Sequence, residues 1–353
     1  MSESAVDHPD EPARELLADL VGIQSVSGEE RECCERLADF FREHGREVTI
    51  DDVGNVRAPA DDSVLLTSHI DTVPGDIPVR EEDGELWGRG SVDAKGPLTA
   101  MAVAAVRTGV SFVAVVGEET NSRGARHLVD TREAPDAVVN GEPSGWDNLT
   151  LGYRGFVKGR FAGETPSAHT SRPGPNALEY AMDWWHDASE AFVDESDDPV
   201  FEQVTTKPVS MDGGVSDDGL AFESSVDAQF RVPPSKTVPE VQSTVEAALP
   251  TYVGEDASVD VSWLDSIPPV MESPRNRVAA ALRAGIRDTD GEPTHLRKTG
   301  TSDMNIFAGE WDCPMATYGP GDSSLDHAPD ERIDLADFDR GVAVLERACE
   351  QLS

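Results

Sequence analysis

Hydrophobic and polar positions change rhythm twice along this chain, and the changes divide it. In the first 150 residues, short continuous apolar runs alternate with longer stretches of helical period. The spacing predicts a helix over 12–20. Ser27-Gly28-Glu29-Glu30 reads as a capping box, with Ser27 as N-cap and Glu30 at the third helical position. The helix behind it carries Cys33, Leu37, Phe40, Phe41 and His44 on one side and stops at Gly45. A short strand follows at 48–50. Val64-Leu65-Leu66-Thr67 is a continuous apolar run of the kind buried on both faces of a parallel sheet. Similar runs at 112–116, 137–139 and 315–318 predict further strands. Helices are expected over 97–108, closed by Gly109, over 124–129, and over 335–352 at the end of the chain. Strands alternating with helices imply an α/β fold: a mostly parallel sheet with helices on both faces.

From Leu151 the period shortens to two, as in Phe156, Lys158 and Arg160. Alternating strands near 209, over 226–232 and over 258–263 are interleaved with helices over 175–185 and 238–249. That order predicts a small antiparallel sheet covered by two helices, an inserted α+β domain over 151–265. The flanking segments, 1–150 and 266–353, then form one catalytic domain.

Charge narrows the function classes. The 353 residues carry 68 acidic and 29 basic side chains, a formal net charge of −39, and only five of the basic residues are Lys. Binding nucleic acid through its phosphates requires a basic surface, so that class is disfavoured. An anionic membrane surface repels such a chain as well. The apolar runs argue against disorder. Adaptation to molar salt accounts for the acidity, because there the Debye length falls to about 3 Å and self-repulsion is screened. Cys33, Cys34, Cys313 and Cys349 form no C-x-x-C pair and suit reduced thiols. The first ten residues have no signal-peptide core, and no apolar run is long enough to span a bilayer. A cytoplasmic protein of halophilic type is the expectation.

Chemistry-bearing residues gather at the predicted strand ends. His69 and Asp71 follow the first apolar run, and Asp93 sits in the Gly-bounded loop Ser91-Val92-Asp93-Ala94-Lys95-Gly96. Glu118-Glu119, Glu142 and His327 each follow a further strand. In so acidic a chain an isolated acidic pair is ordinarily solvated surface, and a lone His is ordinarily structural. The joint pattern carries the reading, since parallel sheets bind ligands outside the carboxyl ends of their strands. Carboxylates with imidazoles suit Zn²⁺, Co²⁺ or Mn²⁺. Two such ions, bridged by Asp93, clamp the attacking and leaving oxygens of a hydrolysis, and Glu118 is placed to act as base.

At these residues the chain resembles the dinuclear-zinc amidohydrolases, a family that includes carboxypeptidase G, succinyl-diaminopimelate desuccinylase, acetylornithine deacetylase and the aminoacylases. The likeness extends over nearly the whole chain. It implies two divalent metal ions per chain, Zn²⁺ or Co²⁺. His69, Asp93 and Glu142 would hold one ion, and Asp93, Glu119 and His327 the other. It further implies that Asp71 orients His69, that Glu118 is the general base, and that the Asp93-Ala94 peptide is cis. The insert would be the lid through which the family forms homodimers. His169, in Ser167-Ala168-His169, would reach the partner's site and stabilise the oxyanion. Arg231, in Gln229-Phe230-Arg231-Val232-Pro233, matches the lid arginine. The Asn that many relatives place before that arginine is missing from the stretch Asp212-Gly213-Gly214-Val215-Ser216-Asp217-Asp218-Gly219. The substrate grip therefore differs here from that of the desuccinylases.

Gly152-Tyr153-Arg154-Gly155 and Lys298-Thr299-Gly300-Thr301-Ser302-Asp303-Met304-Asn305 look closest to one branch. Its members cut lysine or ornithine from the C-terminal glutamate of an acidic amino-group carrier protein. The resemblance implies that carrier as substrate, in lysine or arginine biosynthesis. Arg231 or Lys298 would meet the leaving carboxylate, and Asp303 the distal ammonium. A sister deacetylase of acetylornithine or acetyl-lysine, or a dipeptidase, is the alternative. A non-catalytic metal-binding protein is the third reading, disfavoured because it has no use for Glu118 beside a ligand.

Overall fold

The computed structural model describes residues 9–193 and 197–353. The chain folds into two compact units. One takes in the chain up to Leu151 together with Glu272–Arg297 and Ser302–Ser353; the other is Gly152–Met271 with Lys298–Thr301.

The first unit opens with α1 (Glu11–Gly22) and α2 (Arg31–Glu43), followed by β1 (Thr49–Ile50), β2 (Val56–Ala58) and β3 (Asp61–His69). The hairpin strands β4 (Arg80–Glu82) and β5 (Glu85–Trp87) lead to α3 (Lys95–Thr108). Then come β6 (Val110–Val115), α4 (Arg123–Thr131), β7 (Val138–Gly141) and β8 (Asn148–Tyr153), where the chain passes into the second unit. Within the main sheet β6, β3, β7 and β15 (Met315–Thr317) run parallel in that order. Antiparallel β1 and β2 extend one side beyond β6, and β8 pairs antiparallel with β15. Every residue of β6 and of β7 is buried, as the unbroken apolar runs require when helices cover both faces. Helix α3 is buried almost all round and ends on Gly109, whose φ of +78° supplies the left-handed cap.

In the second unit β9 (Gly155–Pro166), β10 (Thr205–Val215), β11 (Ala221–Val232) and β12 (Ser258–Ile267) form an antiparallel sheet ordered β10-β11-β9-β12. β9 alternates buried and exposed residues along its length. α5 (Ala177–Glu190) and α6 (Val238–Ala247) cover the sheet, and Trp184, Phe161 and Phe230 fill the core between them. This unit runs past 265 because the β12–β9 ladder continues to Ile267↔Phe156 and β13 (Val270–Met271) pairs with Tyr153 and Gly152. It also takes in Lys298–Thr301, since Arg154 Nε donates to the Thr299 carbonyl at 2.9 Å.

The first unit resumes with α7 (Arg277–Asp288), β14 (Thr294–Lys298, its last residue in the second unit), α8 (Asp303–Glu310) and β15. It closes with β16 (Arg332–Asp334) and α9 (Leu335–Leu352). The sequence reading leaves α7, α8 and the strands β2, β4, β5, β13, β14 and β16 unassigned. The Ser27 capping box is corrected too. α2 starts at Arg31 after Glu30, with no side-chain cap, and Ser27 Oγ instead donates to Asp71 Oδ2 at 2.6 Å.

Candidate metal centre

Because β3, β6, β7 and β15 are parallel, their carboxyl ends lie on one edge, and each delivers a functional group there. His69 ends β3, Glu118-Glu119 follows β6, Glu142 follows β7, and His327 comes ten residues after β15. The structure brings them together in two groups that share Asp93. In His69, Asp93 and Glu142, and again in Asp93, Glu119 and His327, one ligand atom per residue lies within 4.8 Å of the others. His69 Nε2 is 3.1 Å from Asp93 Oδ1 and 3.9 Å from Glu142 Oε2. His327 Nε2 is 3.2 Å from Asp93 Oδ2 and 3.0 Å from Glu119 Oε2. Each oxygen of Asp93 therefore faces a different imidazole. The Asp93-Ala94 peptide is cis, and His327 adopts a left-handed φ of +59°.

Asp71 is fully buried and ties the cluster together. His69 Nδ1 donates to the Asp71 backbone carbonyl at 3.0 Å, with Oδ1 farther away at 3.6 Å. That bond leaves Nε2 facing the cluster. The Asp71 carboxylate is spent elsewhere. It accepts the backbone N–H groups of Glu118 and Glu119 at 3.1 and 3.2 Å, and the Ser27 hydroxyl. Asp71 thus orients His69 mainly through its main chain and fixes the Glu118-Glu119 turn through its side chain. Ser27 belongs to this support; its sequence signature, S-x-x-E, is that of a helix cap.

The electrostatics fit cations. Burial disfavours a protonated His69, but its bonds to Asp71 and Asp93 and the charge of Glu142 overcome this, and its pKa stands well above the usual histidine value. The bond to Asp93, against partial burial, lifts His327 to about 9. Burial pushes the Asp93 carboxyl up, yet the two imidazoles win and hold it below the normal carboxylate range. Without metal, protons on His69 and His327 supply the positive charge that the carboxylates demand. Divalent cations held by these mixed nitrogen and oxygen donors would take that place. Glu118 behaves differently: burial, then the charge of Glu142, raises its pKa well above normal, with His69 opposing. Asp303, 2% exposed at the start of α8, is pushed up to about 6 by burial. Its Oδ1 has no hydrogen-bond partner among the described residues.

The remaining predicted residues lie in the second unit. His169 is exposed, and its Nδ1 accepts the Ser171 N–H at 3.2 Å, so the neutral ring carries its proton on Nε2. Arg231, on β11, donates to Thr301 Oγ1 at 3.3 Å and lies over the Phe156 ring at 5.1 Å. Lys298 is half-buried at the end of β14, and its carbonyl accepts the Arg154 N–H at 3.4 Å. Arg154 itself is 5% exposed and also donates to the carbonyls of Val200 and Gln203. The two stretches that single out one branch of relatives are therefore bonded to each other.

A mostly parallel α/β sheet that gathers two imidazoles around a shared carboxylate at its strand ends is the framework of a metal-dependent hydrolase. Residues 65–351 match the model of Peptidase family M20/M25/M40, and the chain belongs to that family, a hydrolase of amide bonds. It is 39% identical to a LysW-lysine hydrolase of Deinococcus radiodurans, over 96% of this chain and 97% of that protein. A putative LysW-lysine/LysW-ornithine hydrolase of Thermococcus kodakarensis is 34% identical, over 96% of this chain and 91% of the relative. Among solved structures, the Bacillus subtilis YXEP protein is described as a dinuclear metal binding peptidase from the M20 family. It superposes with a TM-score of 0.70 at 12% identity, covering 97% of this chain and 98% of that one.

Proposed function

We propose that this chain is a di-metal amide hydrolase that releases L-lysine, L-ornithine or both from the C-terminal glutamate side chain of a small acidic carrier protein. The observation that carries the chemistry is the pair of ligand groups joined through Asp93, with Glu118 beside them. In this reading His69, Asp93 and Glu142 hold one ion and Asp93, Glu119 and His327 the other, Zn²⁺ or Co²⁺ suiting the donors. Divalent ions there supply the Lewis-acid charge that polarises a scissile carbonyl. Glu118 takes the proton of the attacking water and passes it to the departing α-amine. A carboxyl of raised pKa suits a group that must both accept and deliver a proton near neutrality. The His169 Nε2–H donates to the oxyanion in the site of a second copy, so the active form is a homodimer formed through the second unit.

The carrier substrate is supported by the relatives' names and by the bonded stretches at Arg154 and Lys298–Thr301. Arg231 or Lys298 receives the leaving α-carboxylate, and Asp303 is the acid offered to the distal ammonium. A net charge of −39 fits a cytoplasm of molar salt, where two anionic proteins meet with their repulsion screened. No helix among the described residues is long and apolar enough to cross a membrane. The deciding assay follows cleavage of carrier-linked lysine, carrier-linked ornithine and acetylornithine across a salt series. The carrier conjugates should be cut fastest, with turnover rising steeply with salt. Faster cleavage of acetylornithine would assign the protein to the deacetylases instead. Elemental analysis should find two ions per chain and none in Asp93→Ala.

A further inference from the structure

One buried carboxylate beside the cluster has no part in the ligand set. Glu331 is fully buried, four residues after His327 and directly before β16. Its Oε1 accepts two adjacent main-chain N–H groups, those of Val92 at 2.9 Å and of Asp93 itself at 3.0 Å. Its Oε2 is held at 2.7 Å by Arg89 Nη1. The Arg89 guanidinium lies against Gly75, where an added Cβ would come within 3.1 Å of Nη2. The Glu331 carbonyl accepts the Gly88 N–H, and Arg332 pairs with Trp87 in the β16–β5 ladder. On the other side of the loop, Gly96 leaves room for the Ser91 carbonyl and for Ile333 Cδ1, which an added Cβ would approach to 2.5 and 2.6 Å.

We infer that Glu331 is a positioning residue of the metal centre, clasping the loop that carries Asp93 to the segment that carries His327. The inference rests on the reading of Asp93 as the ligand shared by two ions. Asp93 serves that role only if its two oxygens face two poles at once, as they do at 3.1 Å from His69 and 3.2 Å from His327. Its side chain has few torsions with which to correct a displaced backbone. The loop's own main chain must therefore be fixed, and two of its N–H groups end on a single oxygen of Glu331. The same residue leads the segment back to His327, so one side chain sets the spacing between a ligand of both ions and a ligand of one. Partners that orient ligands in this way change metal affinity or activity by roughly 10- to 100-fold when removed. A purely structural acid would lower the melting temperature and leave metal affinity alone.

The test is a Co²⁺ titration of the metal-stripped full chain, followed by visible absorption, for wild type, Glu331→Leu and Glu331→Gln. The leucine variant removes the acceptor; the glutamine keeps an oxygen for the two N–H groups. The expected result is a weakening of Co²⁺ binding by roughly 10- to 100-fold in the leucine variant, with an altered spectrum, and recovery to within about threefold in the glutamine variant. Wild-type affinity in the leucine variant, or a glutamine variant as weak as the leucine one, overturns the inference. If the leucine variant does not fold, Arg89→Leu decides: it keeps the acceptor but unfastens it, and unchanged Co²⁺ binding there overturns the inference too. A wild-type chain that never takes up two ions refutes the di-metal reading, a different failure from a Glu331 variant that binds as wild type does.

Discussion

The two units differ in how many acidic residues they bury and in what answers them. The first unit buries Glu30, Asp71, Glu142, Asp303 and Glu331, each with at most 8% of its surface exposed. In the second unit Asp227 is the one buried carboxylate among the described residues, and it is spanned by Arg160, with Oδ2 2.8 Å from Nη2. Burying an ionised carboxylate is expensive unless charges or N–H groups answer it. The second unit answers its single acid with a neighbouring arginine across a strand pair. The first unit uses arginines for Glu30 and Glu331 too, but adds main-chain N–H groups for Asp71 and Glu331 and an imidazole for Glu142, and leaves Asp303 Oδ1 with no hydrogen-bond partner among the described residues. In a chain with 68 acidic residues, number says nothing about function, whereas burial does. The sheets differ in the same sense. Parallel strands buried on both faces send their ends to one edge, while the alternating strands of the second unit spend one face on their own core.

The proposed base, Glu118, lies in the first unit, and the strongest way to break the comparison is Glu118→Gln. That variant should keep two metal ions and lose turnover by roughly 10³-fold, within the range of general acid–base catalysis. Full metal with unimpaired turnover would move the base elsewhere. His169→Ala sharpens the comparison from the other side. If the second unit supplies the oxyanion donor, kcat should fall by roughly 10²-fold with metal content unchanged. Mixing weakened His169→Ala chains with Glu118→Gln chains should then raise activity above that of either alone, and no gain would remove the exchange between copies.

The smallest effect concerns Asp303, and it is one of stability. Its folded-state pKa of about 6 lies above the ordinary 3.8, so the native fold prefers the protonated acid. In the metal-free protein the contribution of Asp303 should turn unfavourable as pH rises from about 4 to 6 and keep its full penalty above 6. Asp303→Asn should remove it, a gain on the order of 2–3 kcal/mol above pH 6 that vanishes below pH 4. Denaturant melts at both pH values would show it. A gain at pH 7 accompanied by weaker use of the substrate would mark Asp303 as an acid kept for binding.

How much was legible in the sequence differs by residue. His69, Glu119, Glu142 and His327 are readable because apolar runs place them after strands and parallel strands end on one edge, and Asp93 is readable as a carboxylate in a Gly-bounded loop before a helix. Helix α9 runs over the residues its periodicity predicts, Leu335–Leu352. Helices α7 and α8 escaped; α8 presents a short capping box at Ser302 and only eight residues of weak pattern. Ser27 was misread because the local signature of a cap and the distant partner Asp71 compete for one hydroxyl, and only the fold decides between them.

Periodicity and residue type by themselves determined the α/β class, the insertion of an antiparallel unit and the set of ligand candidates, since these follow from which side chains must leave water and which chemistry carboxylates and imidazoles share. Tertiary structure alone decided that Asp71 serves His69 through its carbonyl, that Arg154 holds the Lys298–Thr301 stretch, and that Glu331 clasps the Asp93 loop. The first joins residues two positions apart and the other two join residues 145 and 239 positions apart, yet in all three a one-dimensional pattern carries no term for which buried donor meets which acceptor.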